Sequence, residues 1–410
     1  MNYTCLKQKL NKYILTCVIL AVSYPGGANQ SINDYLLKPT GKYGAAFKDI
    51  HWINNNACPD PHFSKKNQEN FSSGNKKYCH ELMVRMYYPT SIRQGTETSY
   101  YQLLIATEQN RLKSIPTVKL KDIEQLSQLK SHTIENASIV KKKSFPVVLL
   151  ISGLGGHSQF YENLITQLVS EGYIVLGINS LFISGDIVLP NNKVVSSIGP
   201  ENWDVVTKQT LPLLEHDISF VYKKIHEIPH GEVFRAMDLK HIGAIGHSVG
   251  GRAMANVAKR HKKWFQALIT LDMEVHMGSY NPQNSMMPTM HIIAADWRKS
   301  FNWFPLKYSL NKNSYLVTLS PNPKNSHYSY HMNFTDLSTL QYLPAYRSFF
   351  AHNRNIGKYL GTGNGVEITK ALNLYIEGFF NAFLKNKKIP FKNCKVLTNN
   401  TYMQCGPGIF

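Results

Sequence analysis

The chain has little that would place it in a membrane, on nucleic acid or around a metal. Past its N-terminus, no apolar run approaches the roughly 20 residues of a membrane-spanning helix. Zinc-finger spacing, an RNP-like aromatic strand motif and a basic zipper are all missing, which removes the common nucleic-acid modules. HExxH is absent, and the cysteine spacing fits no zinc template. Internal repeats and low-complexity tracts are also lacking. Acid is scarce: 26 Asp and Glu stand against 45 Lys and Arg, a formal charge of +19 over 410 residues. With nucleic acid set aside, this excess reads as a basic soluble surface, or as one drawn to an anionic membrane interface.

The N-terminus is apolar for a short stretch. Lys7, Lys9 and Lys12 precede the run from Tyr13 to Val22, and Ser23, Gly26, Gly27 and Ala28 follow. A basic segment, a short apolar segment and small residues are the anatomy of a secretory signal peptide, here residues 1–28. The expected setting is therefore secreted or periplasmic. The leader holds three lysines and no acids, so +16 remains on residues 29–410. Of the six cysteines, Cys5 and Cys17 fall in the leader. The other four allow three disulfide connectivities, and closeness in sequence favours Cys58 with Cys79 and Cys394 with Cys405.

Residues 29–410 read as a single domain. Ala45 to Trp52 and Leu82 to Tyr88 are strand-like, and residues 91–143 read as a charged, mostly helical insertion. From Pro146 strands and helices alternate. Val147–Ile151 is continuously apolar, as a strand buried on both faces must be. A helix over 159–170, a strand over 173–178, a helix over 207–228, a strand over 241–245 and a helix over 251–260 follow. Strands at 267–271, 290–294 and 315–319 and a helix over 368–384 complete the pattern. This predicts an α/β fold with a mostly parallel central sheet and helices on both faces. Residues 180–206 form a loop-rich excursion with Leu181, Phe182, Ile183, Ile187, Val188 and Leu189. It follows a strand's C-terminal end, where such sheets bind ligands, and is a candidate pocket wall or membrane-facing lid.

Gly246-His247-Ser248-Val249-Gly250 lies between a predicted strand and a predicted helix. There the serine occupies a tight strand-to-helix turn, and the flanking glycines remove Cβ atoms that would collide. The helix N-terminus aims backbone N–H groups at developing negative charge, so the Val249 N–H is one candidate oxyanion donor. Ser152-Gly153-Leu154-Gly155-Gly156 follows the buried strand 147–151 and supplies the other, the Leu154 N–H. His331 lies downstream of the last strand as the candidate base, with His327 as a near rival. His327 and His331 are spaced as a metal pair would be, but no HExxH glutamate accompanies them, and neither metal nor organic cofactor is expected. His247 is read as a packing residue. Asp272 and Asp296 each end a strand, and either can set a carboxylate behind the histidine.

At these residues the chain resembles the secreted, plasma-type branch of the platelet-activating-factor acetylhydrolase family. It is also similar to neighbouring bacterial dienelactone-hydrolase-like and cutinase-like esterases. Gly246 to Gly251 resembles the family's nucleophile motif, and Leu271-Asp272 its acid motif. His331-x-Asn333-Phe334-x-Asp336 resembles its histidine motif, and Gly153-Leu154-Gly155 its oxyanion loop. Ser152 stands where that loop usually has histidine, Met273-Glu274 lacks the usual aromatic, and 91–143 has no counterpart. The resemblance implies an α/β-hydrolase fold and a cofactor-free serine esterase with Ser248, Asp272 and His331 as its triad. It favours Asp272 over Asp296. The implied substrate is a phospholipid with a short acyl group or another small ester. A general carboxylesterase, lipase or polyester hydrolase on the same fold, or a non-catalytic secreted binding protein, are the alternatives.

Overall fold

The computed structural model describes residues 35–55, 79–93, 97–100, 106–141, 143–197, 205–227, 231–273, 287–295, 314–321, 327–352, 360–391 and 395–405. All lie in the compact unit Ile32–Phe410. The expected leader, Cys58, Cys394 and Asp296 lie outside the described residues. Cys79 is disulfide-bonded.

In chain order the elements begin with β1 (Gly44–Asn54) and β2 (His80–Thr90). The insertion then contributes α1 (Ala106–Lys113), α2 (Leu120–Gln128) and β3 (Thr133–Glu135). Next come β4 (Phe145–Ile151), α3 (Glu162–Ser170), β5 (Ile174–Asn179), and β6 (Ile187–Val188) paired with β7 (Val194–Val195). These are followed by α4 (Leu211–Glu227), α5 (Glu232–Arg235), β8 (Met237–His247), α6 (Ser248–Arg260), β9 (Ala267–Leu271), β10 (Thr289–Ala294) and β11 (Ser314–Leu319). The last are α7 (Leu337–Leu340), α8 (Pro344–His352), α9 (Gly365–Leu384) and β12 (Tyr402–Cys405). Among the described residues no helix is long and apolar enough to cross a membrane.

One ten-stranded sheet orders these strands β12-β11-β10-β9-β8-β4-β5-β2-β1-β3. From β5 through β4, β8, β9 and β10 to β11 every pairing is parallel. β2 and β12 flank that block in antiparallel pairings. Alternate side chains of the same strand enter different cores, as the two-residue period of a strand requires. Val148 and Leu150 of β4 pack with α3 and α9, through Ile165, Leu168, Tyr375 and Phe379. Val147, Leu149 and Ile151 pack with α4 and α6, through Leu214, Ile218, Ala253 and Met254. The sheet is therefore mostly parallel and covered on both faces, as expected.

Three features differ from the sequence reading. The insertion is not wholly peripheral: its β3 pairs in parallel with β1 and extends the sheet. β12 adds an edge strand that no pattern signalled. Most described apolar side chains of the excursion after β5 are buried, while Val194 is exposed. Leu181, Phe182, Ile187, Leu189 and Val195 bury one another in a small cluster against Met83, folded around the β6–β7 pair. Apolar side chains in a long loop gain more by burying each other than by facing water.

Candidate active site

Ser248 sits at the junction of β8 and α6 with φ of 55°. A non-glycine residue tolerates the left-handed region only where its surroundings impose it. The flanking glycines show how they do so. A Cβ on Gly250 would stand 2.1 Å from the Ser152 carbonyl oxygen, and one on Gly246 would stand 2.6 Å from that of Gly250. The turn closes only without those atoms. The Gly153 backbone meets it from the other side, where a Cβ would lie 2.9 Å from that of Ser248. The loop after β4 thus lies directly against the serine. Val249 is in the first turn of α6, whose N–H groups have no acceptor within the helix. Val249 thus follows Ser248 directly, and Leu154 follows the glycine packed against it.

Asp272 directly follows β9 and is fully buried, also at positive φ, 45°. Its Oδ2 lies 2.6 Å from His331 Nδ1, and its Oδ1 accepts a 2.7 Å bond from the Ala294 N–H. One oxygen orients the imidazole while the other is fixed by β10. The His331 side chain keeps 29% exposure. Its ring lies 4.5 Å from that of His247, the residue immediately before Ser248. The fold thus joins Asp272 to His331 and sets the pair at the serine turn. His327 turns elsewhere and hydrogen-bonds Tyr330. His331 opens a short 3-10 turn, His331–Phe334, so the two histidines do not share a helix face.

His247 does more than fill space. Its Nδ1 lies 2.8 Å from the Tyr161 hydroxyl, which also takes a hydrogen bond from the Gly153 backbone. A chain of contacts therefore runs from the loop after β4 through Tyr161 to the residue before Ser248. Burial, and then the neighbouring His331, push His247 well below the ordinary histidine range, with the His331 backbone opposing. A neutral ring beside His331 adds no permanent positive charge there. Tyr161 had no sequence signal, because its role depends on packing between α3 and β8.

The rest of the histidine motif is structural. The Asn333 side chain is fully buried: its Oδ1 accepts from the Tyr330 and Gly361 N–H groups and its Nδ2 donates to Ser338 Oγ. Asn333-Phe334-Thr335 is a formal glycosylation sequon, but its acceptor nitrogen is occupied inside the protein. Asp336 accepts from the Glu162 and Asn163 N–H groups at the start of α3 and from Asn163 Nδ2. It thus ties the histidine loop to that helix.

Glu162 is buried beside Asp336. Burial raises both carboxyls, Glu162 to about 8 and Asp336 to about 7. Three hydrogen bonds favour ionised Asp336, whereas the one on Glu162 comes from the Tyr87 hydroxyl at 2.8 Å. Glu162 is therefore the group that holds a proton. Its folded value lies above the roughly 4.3 of an unfolded glutamate, so its contribution is complete below that value and lost as pH rises through about 8. The slope between is up to about 1.4 kcal/mol per pH unit, or roughly 2 °C in Tm for a chain of this size. Glu162→Gln, neutral at every pH, should flatten the decline in Tm from pH 6 to 9. Parallel wild-type and variant melting curves across that range would show that Glu162 is ionised in the fold.

The chain belongs to the α/β-hydrolase fold family, whose model matches residues 146–391. A second family model, platelet-activating factor acetylhydrolase, isoform II, matches residues 69–180. Among solved structures, a ferulic acid esterase from Streptomyces cinnamoneus is similar, with a TM-score of 0.67 at 18% identity. The match covers 90% of this chain and 98% of that one, and at such identity it speaks for the fold alone. No curated protein matches the chain.

Proposed function

We propose that the protein is a serine esterase that cleaves carboxylic esters through an acyl-enzyme. The observation that carries this is the 2.6 Å Asp272–His331 pair set beside a serine held at φ of 55°. His331 takes the Ser248 proton at Nε2 as Oγ attacks the ester carbonyl, and Asp272 holds Nδ1–H and offsets the imidazolium charge. The Leu154 and Val249 N–H groups receive the oxyanion. His331 returns its proton to the leaving alcohol. It then activates water against the acyl-enzyme, which restores Ser248 and releases the acid. No step needs a cofactor.

The substrate we propose is a phospholipid with a short acyl group. The support is the match to the acetylhydrolase model over residues 69–180 and the motif resemblance. The leader-like residues 1–28 put the enzyme in the periplasm or outside the cell in this proposal, and the +16 on the remaining chain draws it to anionic lipid. Each well-placed Lys or Arg near such a surface contributes roughly 1 kcal/mol, fading beyond a Debye length of about 8 Å at physiological salt. Protein recovered from periplasm or medium should therefore hydrolyse short-acyl phospholipid faster in phosphatidylserine-containing than in purely phosphatidylcholine vesicles. Added salt should narrow that gap, while a soluble acetyl ester shows none. Equal rates on both vesicles at low salt would refute the membrane contact. Preference for long-acyl, polymeric or feruloyl esters in the same panel would refute the acyl class and leave the esterase.

A further inference from the structure

A second set of chemistry-bearing side chains lies outside the Ser248 site. His80 is the first residue of β2, and His216 and Asp217 are adjacent on α4. His80 and Asp217 are buried, and the His216 side chain keeps 29% exposure. His80 Nε2 lies 2.7 Å from Asp217 Oδ1, and His216 Nδ1 lies 3.9 Å from that same oxygen. One donor atom from each residue falls within 4.8 Å of the others. The two imidazole planes stand at 87° to each other, with centroids 4.6 Å apart.

We propose that His80, His216 and Asp217 bind one divalent transition-metal ion of the zinc class in a structural site. Two imidazoles and one carboxylate are a borderline-soft donor set, suited to zinc rather than to calcium or magnesium, which prefer all-oxygen shells. Tetrahedral ligands at 2.0–2.1 Å from a centre stand about 3.3 Å apart, and the observed 2.7 and 3.9 Å bracket that spacing. Small side-chain movements would suffice. The exposed edge of His216 provides the entry path and leaves a fourth position for water.

The site's place in the fold gives it a role. Met83 of β2 pairs with Asn179 of β5, so the start of β2 lies at the C-terminal end of β5. Ser180 begins the excursion that walls the ligand-binding edge of the sheet. An ion held by β2 and α4 would cross-link segments far apart in the chain beside the excursion that follows β5. The esterase chemistry proceeds without it.

The test titrates metal-stripped full-length protein with zinc chloride, and separately with calcium chloride, by calorimetry. Sixteen histidines offer adventitious sites, so the reading is the difference between wild type and His216→Ala. Wild type should take one more equivalent of zinc than the variant. Cobalt(II) should develop visible bands of low-coordinate geometry only in wild type. At free zinc a hundredfold above Kd, wild-type Tm should rise by about 3 °C and the variant's should not. His216→Gln repeats the comparison with a side chain of similar length, should the alanine variant fold poorly. Equal zinc stoichiometry in wild type and variants, or an unchanged wild-type Tm, would overturn the site and leave a hydrogen-bonded His–Asp–His network. A response to calcium but not zinc would overturn the class of metal.

Discussion

Ser248→Ala is expected to lower kcat for a soluble acetyl ester by about 10⁴-fold or more, with KM and Tm nearly unchanged. The hydroxyl is the only group lost, and the proposed acyl-enzyme forms on it. Binding and oxyanion stabilisation survive, because the donors proposed for them are backbone N–H groups. Some rate above background should therefore persist. Stability should be preserved, since the turn imposes the φ of 55° at position 248 whichever of the two side chains it carries. A fluorophosphonate should label wild type stoichiometrically at Ser248 and leave the variant unmodified. Labelling at another serine, with Ser248→Ala still active, would overturn the assignment.

Asp272→Asn should cost about 10³- to 10⁴-fold in kcat while the fold remains intact. Asparagine can keep the bond from the Ala294 N–H to its carbonyl oxygen, but it then presents an N–H to His331 Nδ1. The imidazole must turn its lone pair to that side and its proton toward Ser248, the wrong tautomer for a general base. Loss of the negative charge also removes the balance for the imidazolium formed during attack. The defect should shrink at high pH, where hydroxide can replace the base, whereas that of Ser248→Ala should not. Asp296→Asn should have far less effect. The reverse ranking would show that the acid lies at the end of the following strand instead.

Both expectations start from features that were legible in the chain before its fold. Val147–Ile151 reads as a strand buried on both faces because no position in it tolerates water, and the sheet uses both its faces. Ala267–Leu271 was bounded correctly because polar Gln266 and Asp272 flank a short β-prone run. The helix after the nucleophile was expected from Gly251, yet it begins at Ser248. Two glycines in its first turn lower helix propensity, and only the closely packed turn compensates. β3 and β12 went unread because three- and four-residue edge strands carry too little periodicity to register. The excursion's apolar residues were legible as apolar, but not as partners of one another.

Sequence by itself determined the class of fold, the position of the serine turn and the chain order of the three residues proposed as the triad. Those depend on local rules: side-chain period, the steric demand of a tight turn, and glycine where a Cβ has no room. Tertiary structure alone decided the rest. It brought Asp272 to His331 across 59 positions of chain and hung Tyr161 between the loop after β4 and His247. It shut Asn333 inside, paired Glu162 with Asp336, and converged His80 on His216 and Asp217. Such contacts join residues with no sequence relation. They form because sheet order and burial set which side chains share a low-dielectric space, where each polar group must find a partner or change its charge.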